Sequence, residues 1–260
     1  MFVALRRRRS CSLSAHRFPG LRRSQLGRAV ILALALILWS GIASAQSDSE
    51  NEQPDLATQF QPVGEHANLD GEELVFPDMN KYDPGLYAVF DTYYGFIVAE
   101  LFEERVPINT LNFAQLSTGR RPWRDPDTGE FVTRPLYENI TFHRVIPYFM
   151  IQSGDPTGKG NHNCGFVVQD EIRPDLKFNK AGRLAMANLG GPGTAGCQFF
   201  ITETKKENLN GLYTIFGQVL DGMDVVKRIS RVIVEKNDKP ARPIMLNKVH
   251  IIRRIKEQKK

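Results

Sequence analysis

The first 45 residues hold no aspartate and no glutamate, yet they carry eight arginines (Arg6 to Arg9, Arg17, Arg22, Arg23 and Arg28). That absence decides how the charge of the chain is read. The formal net charge is +5, from 34 basic and 29 acidic side chains. Setting the eight leading arginines aside leaves 34 less 8, or 26, basic groups against 29 acidic ones, a balance of about −3 for everything that follows. The pI of 9.1 therefore belongs to the opening segment, and a nucleic-acid partner is not expected. Cysteine is scarce too: only Cys11, Cys164 and Cys197 occur. His162 and Cys164, two residues apart, fall short of the four ligands that close a structural metal site, so neither metal nor cofactor is expected. His143 with Cys197 lacks the third group that would orient a thiol and its base. There is no internal repeat, and 260 residues suffice for one well-buried core with extensions.

The arginine-rich start runs into the apolar block "AVILALALIL" (Ala29 to Leu38) and then into Ala43-Ser44-Ala45, a small-x-small signal-peptidase pattern ahead of Gln46. Residues 1–45 read as a signal peptide and the mature chain as exported, with a bacterial periplasm as the simplest compartment. Two other readings stay open. Ala29 to Ala45 is 17 residues, the lower limit for an uncleaved membrane anchor, and the acid-free, Ser- and Arg-rich head also fits a two-part transit sequence ending in an organelle lumen. "LRRSQLG" matches a twin-arginine signal only in part. A membrane is a partner only if the leader stays attached.

The acidic stretch after Gln46 has almost no patterned apolar residues, so 46–82 is expected to be a flexible spacer. Leu86 to Thr92 and Gly95 to Phe102 flank Tyr93-Tyr94 and read as a hairpin, with Ile97, Ala99 and Leu101 on one face and Glu100 opposite. "RVPINTLNFAQLSTG" changes period: Val106, Thr110 and Phe113 recur at helical spacing, Pro107 suits a first turn and Gly119 an end. "RRPWRDPDTGEFVTRPLYEN" is turn-rich and reads as a surface excursion with Asp127-Thr128-Gly129 at its tip. Strand-like runs follow at "ITFHRVI", "FMIQSGD", "RLAMAN", "QFFITE", "YTIFGQV" and "MLNKVHIIRRI". "DGMDVVKRIS", with Asp221 as N-cap and Val225, Val226 and Ile229 on one side, reads as a second helix. Eight strands, two helices and Gly-rich turns predict an all-β fold, a closed eight-stranded antiparallel barrel capped by two α-helices over residues 83–256, with 257–260 as a basic tail.

One stretch stands out from this pattern. In "FHRVIPYFMIQSGD" (Phe142 to Asp155) a permanent cation and an amide interrupt two apolar runs. Extended, Phe142, Arg144 and Ile146 share one face and His143 and Val145 the other, and a turn at Pro147-Tyr148 returns Gln152 beside the first run. Taken alone, Arg144 is a sheet-edge residue snorkelling over apolar neighbours.

Together with "LAMANLGGPGTAGCQFFIT" (Leu184 to Thr202) and "LNGLYTIFGQVLDGMDVV" (Leu209 to Val226), that stretch closely resembles, in order and spacing, the cyclophilin-type peptidyl-prolyl cis-trans isomerases. The resemblance covers roughly residues 83 to 255, and the turn-rich excursion is similar to that of bacterial members. It implies an eight-stranded barrel with two helices, a monomer, and proline-containing polypeptides as partners. It implies site roles residue by residue as well. Arg144 matches the catalytic arginine and Gln152 the glutamine that helps hold it, with His143 close by. Phe149, Met150, Phe200 and Leu209 match the lining of a proline pocket, and Ala187, Asn188 and Gln198 match positions that meet the substrate backbone or organise the floor. Tyr213, at a substrate-binding position, and Asn208 stand where animal cytosolic members carry histidine and tryptophan. Ser153 replaces a usual glycine, and the loop from Asn188 to Pro192 is one residue longer than the animal form. A proline-peptide-binding module or holdase that keeps the barrel without catalysis is the alternative, and Arg144 is the feature that separates the two.

The chemistry explains why so few groups suffice. Rotation about an X-Pro bond crosses a barrier of roughly 20 kcal/mol with no bond changing partner, so neither nucleophile nor metal is required. In the twisted transition state the prolyl nitrogen recovers its lone pair, and a donor aimed there binds that state better than either planar one. An arginine, always charged and rich in N–H groups, suits the task. Loss of Cys11 with the leader would leave Cys164 and Cys197 as an even pair in a compartment where disulfides persist. The resemblance puts their loops on one secondary pocket beside the proline site, close enough for a bridge; two buried thiols that never meet are the alternative.

Overall fold

Alternating apolar residues of the first predicted hairpin do form one: β1 (Gly85–Thr92) pairs antiparallel with β2 (Gly95–Leu101), Val89 opposite Val98. The computed structural model describes residues 74–255; the predicted leader, the spacer up to residue 73 and the last five residues lie outside the described residues. α1 (Pro107–Ser117) follows, and the excursion carries a two-residue ribbon, β3 (Trp123–Arg124) with β4 (Phe131–Val132). The remaining elements are β5 (Glu138–Thr141), β6 (Arg144–Ile146), β7 (Met150–Ser153), β8 (Arg183–Met186), β9 (Phe199–Thr202), β10 (Ile215–Asp221), α2 (Met223–Ser230) and β11 (Met245–Arg254).

The fold is mostly β, a curled nine-stranded antiparallel sheet in the order β5-β11-β1-β2-β10-β8-β9-β7-β6, with two helices. Its core centres on Phe113 of α1, whose ring lies 5.0 Å from both Tyr137 and Phe216 and 5.3 Å from Phe199. Val225, Val226 and Ile229 bury the inner side of α2 as their spacing predicted. Among the described residues no helix is long and apolar enough to cross a membrane.

Three expectations are corrected. The sheet has nine strands where eight were predicted, because "ITFHRVI" breaks in two. Phe142 and His143 are both buried, at 1% and 6% exposure, and neighbouring side chains of a flat strand cannot both face inward. The chain bends there, the Phe142 N–H donating to the Ile244 carbonyl at 2.9 Å. The bend leads from β5 at one end of the sheet to β6 at the other, and no ladder joins those ends among the described residues. Phe142 thus enters the core while Arg144 stays half-buried, so the two do not share a face.

The second correction concerns the N-cap of α2, which is Gly222 at φ 84°, not Asp221. A Cβ at Gly222 would collide with the Phe96 carbonyl oxygen, so only glycine lets the chain turn that close to β2. The Asp221 carboxylate is engaged elsewhere, with Lys81 at 2.6 Å. The third concerns where packing begins. It starts before residue 83: Phe76 lies edge-on to Phe96 at 5.4 Å, and Met79 and Tyr82 pack on the outer cluster of Tyr87, Val89 and Val98.

The β6–β7 turn is fixed from below by Glu203, whose side chain is 1% exposed. Its carboxylate accepts the Tyr148 N–H at 2.6 Å and the Ser230 hydroxyl at 2.7 Å, and pairs with Arg231 at 2.8 Å. Burial opposes its ionisation, but Ser230, Arg231 and the Tyr148 N–H hold the carboxyl below its usual pKa. Glu203→Gln is expected to destabilise the fold by about 1–3 kcal/mol at neutral pH, since buried donors lose their acceptor. A depressed folded pKa gives stability that is present above the unfolded value of about 4.3 and lost as pH falls through the folded one. Urea midpoints should therefore show the variant's deficit shrinking in acid; a deficit unchanged with pH would contradict this role.

Candidate functional site

Strand register assembles the site. Arg144 on β6 faces Gln152 on β7, Gln152 faces Phe200 on β9, and Phe200 faces Ala185 on β8. Cross-strand neighbours share a face, so a cation, an amide and an aromatic ring stand in one row. Two register steps along, Ile146 faces Met150. The row borders a cavity of about 310 Å³ whose apolar walls are Phe149, Met150, Phe200 and Leu209. His143, Arg144 and Gln152 line one side, and Ala187, Asn188 and Tyr213 also face it. The Tyr213 ring stands edge-on to Phe200 at 5.2 Å, and Phe178 stacks on Phe200 at 5.9 Å.

Of the catalytic and substrate-binding residues expected from the sequence, Gln198 alone lines an adjoining cavity of about 50 Å³ instead, one that it shares with Gln152, Ala187 and Asn188. It still belongs to the constellation. Its Oε1 accepts from Gln152 Nε2 at 2.9 Å, and its Nε2 donates to the carbonyls of Gly160 and His162 at 3.2 and 3.0 Å. Gln152 Oε1 in turn accepts from Arg144 Nη1 at 3.5 Å, a long contact. Arg144 Nε donates to Asp238 Oδ2 at 3.2 Å.

Sequence reasoning missed three residues here. Lys159 and Gly160 line the cavity from the loop after β7, and a Cβ on Gly160 would approach the His143 ring to 3.1 Å. Asp238 reaches Arg144 from 94 residues away. Their signals were the glycines of "GDPTGKGNHN" and the Asn-Asp pair of "EKNDKP". The loop is anchored by fully buried Asp155, which accepts both the N–H and the hydroxyl of Thr157 at 2.7 Å and the His162 N–H at 3.2 Å. Burial works against that carboxylate, yet these donors keep its pKa below the ordinary value.

His143 is buried with neither ring nitrogen hydrogen-bonded, and burial pushes its pKa down. Burial therefore favours the neutral ring at the cavity. Ser153 donates to the Thr141 carbonyl at 2.8 Å and so ties β7 to β5. Cys164 and Cys197 are bridged, with Cα atoms 6.2 Å apart. The bridge backs the wall next to Gln198, leaves His143 no thiol to activate, and removes Cys164 as a thiolate ligand. Among the described residues no group of three or more His, Cys, Asp or Glu is placed to hold a metal ion.

Comparison with known proteins agrees with this geometry. The family model for "Cyclophilin type peptidyl-prolyl cis-trans isomerase/CLD" matches residues 87–251. Peptidyl-prolyl cis-trans isomerase A of Mycobacterium tuberculosis is 41% identical over 166 residues, 63% of this chain and 91% of that protein. Peptidyl-prolyl cis-trans isomerase B of Streptomyces anulatus is 42% identical over 167 residues, covering 63% and 95%. Among solved structures, a cyclophilin type peptidyl-prolyl cis-trans isomerase of Cryptosporidium parvum, crystallised in the presence of the dipeptide Ala-Pro, superposes with a TM-score of 0.55 at 34% identity. That match covers 65% of this chain and 99% of that one. The chain belongs to the cyclophilin-type peptidyl-prolyl cis-trans isomerases, and its activity is isomerisation of X-Pro peptide bonds.

Two measurements test the site's supports. Thiol counting on unreduced, denatured protein from which the leader has been removed should find no free thiol, and reduction should cost ~2–4 kcal/mol for a bridge closing a loop of 33 residues. Two free thiols would refute the bridge. For His143 the folded pKa lies below the unfolded value of about 6.5, so the unfolded chain binds the proton first and stability falls as pH drops through that range. His143→Gln should lose less stability than the wild-type chain between about pH 7 and pH 5; parallel losses would show that the ring is solvated in the folded state.

Proposed function

We propose that this isomerase acts on exported polypeptides outside the cytoplasm, with Arg144 as its catalytic residue. The observation that carries the catalytic assignment is the row of Arg144, Gln152 and Phe200 across three strands, which sets a guanidinium over an aromatic-walled cavity. A prolyl ring seated against Phe149, Met150, Phe200 and Leu209 excludes water from one side of the twisting bond. Arg144 Nε and Nη1 are engaged by Asp238 and Gln152, while Nη2 has no protein partner among the described residues. That group is the donor for the prolyl nitrogen as its lone pair develops. A dry wall strengthens this hydrogen bond, and its advantage exists only in the transition state. Neutral His143 contributes shape and apolar contact, since no proton moves in the reaction.

The reading extends to setting and shape. The Arg-rich leader, its apolar block and Ala43-Ser44-Ala45 support export, with the periplasm as the simplest destination. The near-neutral balance after residue 45 supports the absence of a nucleic-acid partner, and the family resemblance supports a monomer. The closed barrel of the family is completed, on this reading, by the Phe142–His143 bend carrying the chain between the two ends of the sheet.

Arg144→Ala should lower kcat/KM for an X-Pro peptide by about 10²–10³-fold, the range for one transition-state donor. Peptide binding and melting temperature should stay near wild type. Near-normal efficiency in the folded variant would sink the assignment. A wild-type chain that binds proline peptides yet shows no turnover would favour the holdase alternative.

A further inference from the structure

We propose that Asp238 is a positioning residue for Arg144, holding the guanidinium side-on so that its remaining N–H groups meet the prolyl nitrogen. The segment after α2 forms a tight hairpin. The Glu235 N–H donates to the Lys239 carbonyl at 2.7 Å, Val234 bridges Pro240, and Asn237 and Asp238 stand at the tip with φ of 66° and 60°. Two consecutive residues other than glycine occupy the left-handed region, which glycine adopts freely and which costs every residue with a Cβ something, least for Asn and Asp. Local geometry therefore favours glycine at 238. The chain has a carboxylate there instead, and that carboxylate meets Arg144 Nε at 3.2 Å.

Strain retained beside a functional group points to work done by the side chain. Stability is not that work. The two side chains are 42% and 41% exposed, and solvent screens such a pair until it adds little to folding. Orientation is the remaining use. Gln152 alone holds Arg144 through a 3.5 Å contact at one nitrogen, which leaves the guanidinium free to swing. A charge-assisted acceptor at a second nitrogen fixes its plane. Catalysis by a preorganised donor is sensitive to such swinging, because a displacement of about 1 Å can cost on the order of 100-fold in rate.

The inference rests on the isomerase reading of the site, and three substitution readouts separate the two. Asp238→Gly should keep or raise the melting temperature, because glycine suits the left-handed tip. Its kcat should fall roughly tenfold with KM nearly unchanged, the pattern of a lost transition-state alignment. Asp238→Asn, which tolerates the same backbone and keeps a side-chain acceptor, should recover most of that loss. In 15N spectra the Arg144 Nε–H signal should move in the glycine variant and stay close to its wild-type position in the asparagine variant. A glycine variant with wild-type kcat and an unmoved Arg144 signal overturns the proposal, and so does an asparagine variant as impaired as the glycine one. A wild-type chain without turnover overturns the isomerase reading instead, and the Nε–H signal then still decides whether the contact exists.

Discussion

Two consecutive side chains, Phe142 and His143, turn inward where a flat strand would send one of them out. The site depends on that bend. It ends β5 against β11 at one side of the sheet and starts β6 at the other, so that Arg144 is the first residue of a three-residue edge strand. An edge strand leaves one side unpaired, which is what lets a charged side chain approach an apolar cavity while remaining 42% exposed. A guanidinium on a central strand would have to be desolvated and matched by a buried anion. Here the cost is avoided by geometry.

The bend would be soft without supports on both flanks. Toward β5, the Ser153 hydroxyl reaches back to Thr141. Toward the β6–β7 turn, Glu203 accepts the Tyr148 N–H and is itself tied to Ser230 and Arg231 at the end of α2. Tyr148 sits at φ 60°, a conformation it keeps because those partners over-determine it. The polar side of the cavity is treated in the same way: Gln152 donates to Gln198, and Gln198 to two carbonyls of the loop that Asp155 anchors. Such a network is rigid because its members are satisfied. The disulfide fixes the same wall covalently one residue from Gln198.

Periodicity made much of this legible. The β1–β2 hairpin, both helices and the apolar wall of the cavity follow from spacing and from a three-motif resemblance whose residues the register brings together. The bend at Phe142 did not show, because "ITFHRVI" is an unbroken run of residues that suit a strand, and only tertiary packing decides that both of its middle side chains go in. The start of α2 shifted by one residue for a similar reason: the close approach of Gly222 to Phe96 is a contact between distant segments. Asp238 was invisible for a third reason. Its partner lies 94 residues earlier, and an Asn-Asp pair in a turn is ordinary until the turn is seen to face Arg144.

These supports also explain which departures from the family pattern the chain tolerates. Ser153, where the resemblance leads one to expect a glycine, finds an acceptor for its hydroxyl on β5, so the atom is paired rather than buried unsatisfied. The lengthened loop after Asn188 is exposed at Leu189 and is closed on itself, Asn188 accepting the Gly190 N–H and Thr194 the Leu189 N–H. Asn208 is exposed at the outer edge of the turn that delivers Leu209. Each departure lies where solvent or a local acceptor absorbs it. The Arg144–Gln152–Phe200 row has no such freedom, since moving any one member shifts its strand partner, and the donor and the apolar wall work only at a fixed separation. The freedom of the rim and the fixed geometry of the row follow from the same constraint: a cation held at the edge of a sheet, beside an apolar cavity that it borders without entering.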